Sequence, residues 1–404
     1  MTVQAPHTLA EAAEFRRELT MPFIAITGSN GKTTTRSMLS QILRNAGRVY
    51  EFCQDSDSAE QIAAELITLK EHYDWAVIKI GAALPGEIRK AAQLIAPRIA
   101  IITNIGEAHL AQYGEIEKIA AAKADLLASI AAQGMAILNR DNEFTRMMGD
   151  DLACKVVYFG LSPVSDYYAD QIRHLGPQGT TFCVYKYGQK EIELQLAVFS
   201  LGDIYNALAA FAAASELGLE SEIIKEALEN KFILPAGRGR MLTFANIYLL
   251  DDTHDATPQS FYKSTKSLVN FRDYADRLIF VMSDLADPFD HKRDAQAMMG
   301  HYLAGMPIDI AVLVGAHASA TATAISKAAG TLKCVVECPT LPDAESWLKD
   351  HIRAGDVILI EGGESFDMGL LVEKLVQFGR EKGGNVPAQQ KSANSIENKG
   401  HYDS

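Results

Sequence analysis

From Pro22 onward, short runs of aliphatic and β-branched residues alternate with longer segments whose apolar positions recur at helical spacing. A strand covered by helices on both faces needs apolar residues at nearly every position. PFIAIT (22–27), WAVIKI (75–80), IAIITN (99–104) and MAILN (135–139) have that character. Between the first two, TTTRSMLSQILRNAG sets Met38, Leu39, Ile42 and Leu43 on one helical face and ends on Gly47, a residue suited to leaving a helix. The pattern predicts an α/β fold, a mostly parallel central sheet with helices on both faces.

The pattern then changes twice. Between 165 and 200, TTFCVYKYGQKEIELQL alternates with period two about Tyr187-Gly188 and reads as a hairpin added antiparallel to the sheet. After an Ala-rich helix, DIYNALAAFAAASELG, and a second helix near 221–229, ILPAGRGR supplies the Pro and Gly of a linker around 235–245. Beyond it, IYLLDD (247–252), RLIFVMSD (277–284), IDIAVLVG (308–315), LKCVVE (332–337) and DVILIEG (356–362) alternate with helical segments and predict a second, Rossmann-like α/β domain. The expected division is a short lead-in at 1–20, a first domain at 21–240, a second at 241–380 and a tail at 381–404. The tail has too few aliphatic residues to offset the entropy of ordering and is expected to be disordered.

The 404 residues, 48% of them apolar, suffice for a core in each domain. With 38 Lys and Arg against 51 Asp and Glu, the formal charge is -13, so no global positive field draws the chain to nucleic acid or an anionic membrane. Five scattered cysteines fit neither a disulfide framework nor a zinc site. There is no apolar signal segment at the N-terminus and no long uncharged apolar run. These features predict a soluble cytoplasmic protein; they do not fix an oligomeric state.

The strongest chemical signal is Ile26-Thr27-Gly28-Ser29-Asn30-Gly31-Lys32-Thr33-Thr34, set between a buried strand and an amphipathic helix. A turn that sharp needs glycine, and it leaves backbone N–H groups and a helix N-terminus aimed at one spot, which is what phosphate oxygens require. Lys32 would reach the β and γ phosphates and the Thr33 hydroxyl would ligate Mg2+. The central sheet is therefore expected to be of P-loop type, although the G-x-x-G-K-T spacing is shorter than the standard loop. His109, on the loop after a buried strand, can either ligate a divalent cation or cap the start of a helix.

TGSNGKTTT (27–35), TNIGEAHL (103–110), AAKADLL (121–127), LNRDN (138–142), YNALAA (205–210), GRGRM (237–241) and DDTHDATPQS (251–260) follow one another in an order that resembles the Mur ligase family. The similarity covers residues 20 to 380. It is greatest to the branch that joins D-alanyl-D-alanine to a muramoyl tripeptide, with the family's N-terminal UDP-binding domain expected to be lacking. The resemblance implies ATP-dependent activation of a carboxylate as an acyl phosphate, then attack by an amine, with ADP and phosphate released. The substrates would be a small-molecule acid and an amine or amino acid. It assigns Gly28, Ser29, Asn30, Gly31, Lys32, Thr33 and Thr34 to the phosphates, Asn206 to the adenine, Arg240 or alternatively Arg238 to the γ phosphate, and Asp252 to the ribose or the domain junction. Mg2+ would be held by Thr33, His109 and Lys123, the last as a carbamate. Lys32, His109, Lys123 and Arg240 form the expected catalytic set, and Asp284 would face the amine.

Departures from the family pattern leave alternatives open. Lys79 stands where the family carries a Mg2+-binding Glu, and an ammonium about 4 Å from a divalent ion is repelled by roughly 8 kcal/mol at an effective dielectric of 20. Either one metal ion is absent and the ammonium takes over its charge, or the lysine turns aside, or the chain binds nucleotide without catalysis. Glu361 stands where the related branch has Lys, and His254 where it has Tyr. The readings that remain are an amide-forming ligase of a smaller acid, a truncated muramoyl tripeptide ligase, and a nucleotide-binding protein without turnover.

Overall fold

The computed structural model describes residues 9–52, 58–69, 72–81, 85–108, 110–131, 133–254, 257–284, 292–328, 330–362 and 366–381. The chain divides into two compact units between Leu234 and Pro235, earlier than the boundary expected at 240. The reason is local. Arg240–Phe244, read above as linker, is a strand of the second unit's sheet.

The first unit is built on β1 (Phe23–Thr27), β2 (Val49–Glu51), β3 (Trp75–Lys79), β4 (Ile99–Ile102), β5 (Met135–Asn139), β6 (Lys155–Gly160), β7 (Tyr167–His174), β8 (Thr180–Lys186) and β9 (Gln189–Leu196). Their order is β2-β3-β1-β4-β5-β6-β7-β8-β9. Strands from β2 through β7 pair parallel, and β7, β8 and β9 pair antiparallel, so the expected hairpin extends the sheet and gains β7 as a third member. One face of the sheet packs Ile24, Ile26 and Val77 under Met38, Leu39, Ile42 and Leu43 of the helix Lys32–Arg44, all fully buried. Each such side chain contributes about 1.5–3 kcal/mol by leaving water. The opposite face buries Ala25, Ile78 and Ile102 under the helices Ala59–Leu66 and Glu87–Ile95.

Part of the expected lead-in is helical and belongs to this unit. In the helix Leu9–Glu18, Ala12 is fully buried, and the Arg16 guanidinium lies 4.0 Å from the Phe23 ring centroid and donates to the Ile95 carbonyl at 2.6 Å.

The second unit has β10 (Arg240–Phe244), β11 (Ile247–Asp252), β12 (Arg277–Ser283), β13 (Ile310–Val314), β14 (Cys334–Cys338) and β15 (Asp356–Glu361) in the order β10-β11-β15-β12-β13-β14. Only β10 runs antiparallel, joined to β11 by a two-residue turn at Ala245 and Asn246. The rest is the expected Rossmann-like sheet. A helix at Met368–Glu381 follows β15; the tail from 382 lies outside the described residues. Among those residues no helix is long and apolar enough to cross a membrane.

Candidate active site

β1 sits inside the first sheet with β3 on one side and β4 on the other. Chain connections diverge from such a strand, and the crevice at the carboxyl ends of the neighbouring strands is where ligands collect in open α/β sheets. The Gly28–Thr34 turn starts there. Gly28 and Gly31 have φ of 145° and 81°, angles that residues with a side chain seldom adopt. A Cβ on Gly28 would lie 2.0 Å from Thr103 Oγ1, and one on Gly31 would lie 2.1 Å from Asn206 Oδ1. Both positions therefore require glycine on angle and on space.

The helix Lys32–Arg44 begins with Gly31 as its N-cap and has no side-chain cap. First-turn N–H groups have no intrahelical acceptor, and they gather the partial positive charge of the helix end. An anion is the complement of that arrangement. Lys32 adds a full charge beside it: its ammonium donates to the Gly28 carbonyl at 2.8 Å and the Ser29 carbonyl at 3.0 Å, folded back over the turn. The Thr33 hydroxyl has no hydrogen-bond partner among the described residues.

Two supports hold the turn from below. The first is the loop after β4. Ser29 N–H donates to the Asn104 carbonyl at 2.9 Å, Asn30 N–H donates to Asn104 Oδ1 at 3.0 Å, Thr103 Oγ1 donates to the Asn30 carbonyl, and Ser29 Oγ exchanges hydrogen bonds with Gly106. The second is Asn206, buried on the helix Leu201–Glu216, whose Oδ1 accepts from Thr35 Oγ1 at 3.2 Å. The family resemblance implies an adenine contact for Asn206; in the structure its amide underlies Gly31. Thr103 and Asn104 were not singled out. Their signal is two polar residues directly after a buried strand that neighbours β1.

Lys79 ends β3 in register with Ile26. Alternation puts it on the face shared with Val77 and Ile26, which the helix Lys32–Arg44 covers. Lys123, on the helix Ile116–Ala124, is only 3% exposed and has no hydrogen-bond or ion-pair partner among the described residues. Burial alone pulls its ammonium down to a pKa of about 8. His109 lies outside the described residues.

The second unit carries the remaining expected residues. Arg240 opens β10 opposite Asp251, and its Nε is buried without a hydrogen-bond acceptor among the described residues. Arg238 donates to His254 Nε2 at 2.5 Å. Asp252, ending β11, accepts from Ser264 Oγ at 2.5 Å and lies 3.8 Å from the Lys263 ammonium. Glu361 ends β15 in register with Asp252 and accepts from Ser260 Oγ at 2.7 Å. Asp284 follows β12 and accepts from the His317 N–H at 3.1 Å. Three carboxylates thus stand at the carboxyl ends of adjacent strands, where a Rossmann-like sheet offers its crevice.

Residues 26–214 match the Mur ligase middle domain, and residues 237–363 match the Mur ligase glutamate ligase domain. The chain belongs to the Mur ligase family. Mur ligases are ATP-dependent C–N ligases that use ATP and Mg2+, and the chain is a ligase of this type. Among its relatives, the UDP-N-acetylmuramoyl-tripeptide--D-alanyl-D-alanine ligase of Escherichia coli is 28% identical over 78% of this chain and 70% of its own length. The enzyme of the same name from Haemophilus influenzae is 27% identical over 89% and 78%, and that from Buchnera aphidicola is 30% identical over 68% of this chain and 59% of its own length. A crystal structure of MurF from Acinetobacter baumannii superposes with a TM-score of 0.79 at 27% identity, covering 91% of this chain and 80% of that one. The Mur ligase middle domain as matched contains the whole Gly28–Thr34 turn, both of its supports and Lys123.

Proposed function

We propose that this Mur ligase transfers the γ-phosphoryl group of ATP to a substrate carboxylate and condenses the acyl phosphate with an amine. The observation that carries this reading is the uncapped helix N-terminus behind Gly31 with the Lys32 ammonium folded over it. The relatives are named for joining UDP-N-acetylmuramoyl-tripeptide to D-alanyl-D-alanine, and that acid and that amine are the proposed pair. A cytoplasmic location goes with those substrates.

In this mechanism the first-turn N–H groups and Lys32 hold the β and γ phosphates, and Lys32 offsets the charge that spreads over the γ-phosphoryl oxygens during transfer. In the second unit Arg240 carries a planar fork of donors of the kind that suits a phosphoryl group. Asn206 acts through Gly31, and Asp252 is left for the ribose. The donor set fits Mg2+, which binds through few protein oxygens, substrate phosphates and retained waters. Thr33 offers a hydroxyl with no other hydrogen bond among the described residues, and Lys123, a buried amine of lowered pKa, would in its neutral form add CO2 and release a proton to give a carbamate oxygen. His109 is the remaining proposed ligand. The ion would supply charge neutralisation to the phosphoryl group. Lys79 lies on the helix-covered face beside the turn, and its ammonium takes the place of one ion of the family's complement.

The test supplies ATP, Mg2+, bicarbonate, the muramoyl tripeptide with an 18O-labelled carboxylate, and D-alanyl-D-alanine. The expected outcome is ADP and phosphate in equal amounts with the amide, and label in the phosphate. Release of AMP would overturn the acyl phosphate step. Bound ATP with no turnover on this or any other acid and amine, and none gained in Lys79→Glu, would make the chain a nucleotide-binding protein without catalysis.

A further inference from the structure

The LNRDN motif at 138–142 takes no part in the chemistry above, yet its side chains reach both supports of the phosphate turn. Asn139, the last residue of β5, donates through Nδ2 to the Thr103 carbonyl at 2.9 Å. Asn142 bridges Ile105 in both directions: its Nδ2 donates to the Ile105 carbonyl at 2.9 Å, and the Ile105 N–H donates to its Oδ1 at 3.3 Å. That Oδ1 also accepts from the Thr145 N–H at 3.2 Å, which fixes the side chain at the start of the helix Glu143–Met148. On the other side, Asp141 accepts from the N–H groups of Leu161 and Ser162 and, at 2.9 Å, from the hydroxyl of Tyr205, the residue before Asn206. One short motif therefore touches the loop that grips Ser29 and Asn30 and the helix that underlies Gly31.

A loop that has left a sheet has no ladder partners for its own N–H and C=O groups. A carboxamide is the side chain that can satisfy both at once, since it carries a donor and an acceptor side by side. Asn142 gives Ile105 the pair of bonds a neighbouring strand would have given. We propose that Asn142, seconded by Asn139 and Asp141, is a positioning residue of the nucleotide site. It fixes residues 103–106 and, through them, the backbone of Ser29 and Asn30, so that the turn keeps its phosphate-binding shape before ligand arrives. It touches no substrate atom. The inference rests on reading the turn as the ATP site.

The experiment uses the full chain with Asn142→Ala and Asn142→Asp. The aspartate keeps the acceptor for Ile105 and Thr145, and so keeps the helix cap, but loses the donor to the Ile105 carbonyl. Without nucleotide, hydrogen exchange at the Ser29, Asn30 and Gly106 amides is expected to speed up by about tenfold in Asn142→Ala and by less in Asn142→Asp, with Ile24 to Ile26 of β1 unchanged. With substrates, KM for ATP is expected to rise about tenfold in the alanine variant while kcat at saturating ATP falls by less than about threefold, because bound triphosphate re-forms the turn. A general folding defect would instead lower the active fraction, and with it kcat, and leave KM alone. Wild-type exchange at residues 29, 30 and 106 in both variants, or a loss confined to kcat, overturns the proposal. If the wild-type chain binds no ATP, the nucleotide reading falls by itself, and the exchange measurement still decides whether Asn142 holds the loop.

Discussion

Lys123 is an amine with almost no access to water and, among the described residues, no charged partner, and that sets both its cost and its use. Its pKa falls from 10.5 to about 8 through desolvation. For a base whose folded pKa is the lower one, the unfolded chain binds more protons between those two values, so stability rises with pH across that window; the full penalty stands below about 8. Lys123→Met is therefore expected to raise stability at pH 7 by about 2 kcal/mol in urea unfolding, a gain that shrinks as pH climbs toward 10. At pH 7 about a tenth of such an amine is neutral, against less than a thousandth of an ordinary lysine. With 13C-bicarbonate, a carbamate signal in the NMR spectrum is expected to grow between pH 7 and pH 8.5 and to be missing in Lys123→Met. At Lys32 the charge itself matters. Lys32→Ala is expected to weaken ATP binding by about 100-fold in calorimetry, since it removes a charge-assisted contact from the triphosphate.

The shape of the Gly28–Thr34 turn is legible from its residues because its angles and close approaches are demands on residue type. Gly31→Ala would add a Cβ 2.1 Å from Asn206 Oδ1 at a φ of 81°. It is expected to cost about 1–3 kcal/mol of stability and to weaken ATP binding more than it lowers the unfolding temperature. The strands that read well are those buried on both faces, such as FIAIT in β1, where every position is buried. Others gave a weak pattern. β2 has three half-buried residues and too short a run to show a period. β10 was hidden because its turn places Ala245 and Asn246 at φ of 46° and 59°, a geometry usually announced by Asn-Gly, and because the preceding Gly–Arg run looks like linker. The Tyr187-Gly188 turn uses the same kind of angles with glycine present, and that hairpin could be read. The support of the phosphate turn by Thr103, Asn104, Asn139 and Asn142 escaped notice for another reason: hydrogen bonds between loops leave no periodicity in sequence.

At the scale of the molecule each unit has its own tryptophan, Trp75 in β3 and Trp347 on the helix Leu341–His351. They allow the two to be followed separately. In the second unit, burial would raise the Asp309 carboxyl, but hydrogen bonds from Lys333, the Leu278 N–H and Arg272 outweigh it and hold the pKa down to about 2. A depressed carboxylate contributes stability above its unfolded value near 3.9 and loses it as pH falls toward 2. Because the Lys333 partner is largely exposed, the contribution is about 1–2 kcal/mol. In a Trp75→Phe background, acid unfolding seen by Trp347 is expected to move to higher pH in Asp309→Asn; an unchanged midpoint would mean that the cluster adds nothing. The pair Thr35 and Asn206 stands 171 positions apart along the polypeptide. On a ribosome, the Gly28–Thr34 turn thus lacks its second support until translation has passed Asn206 and that residue has cleared the exit tunnel. All the strands from β1 to β9 have been synthesised by then.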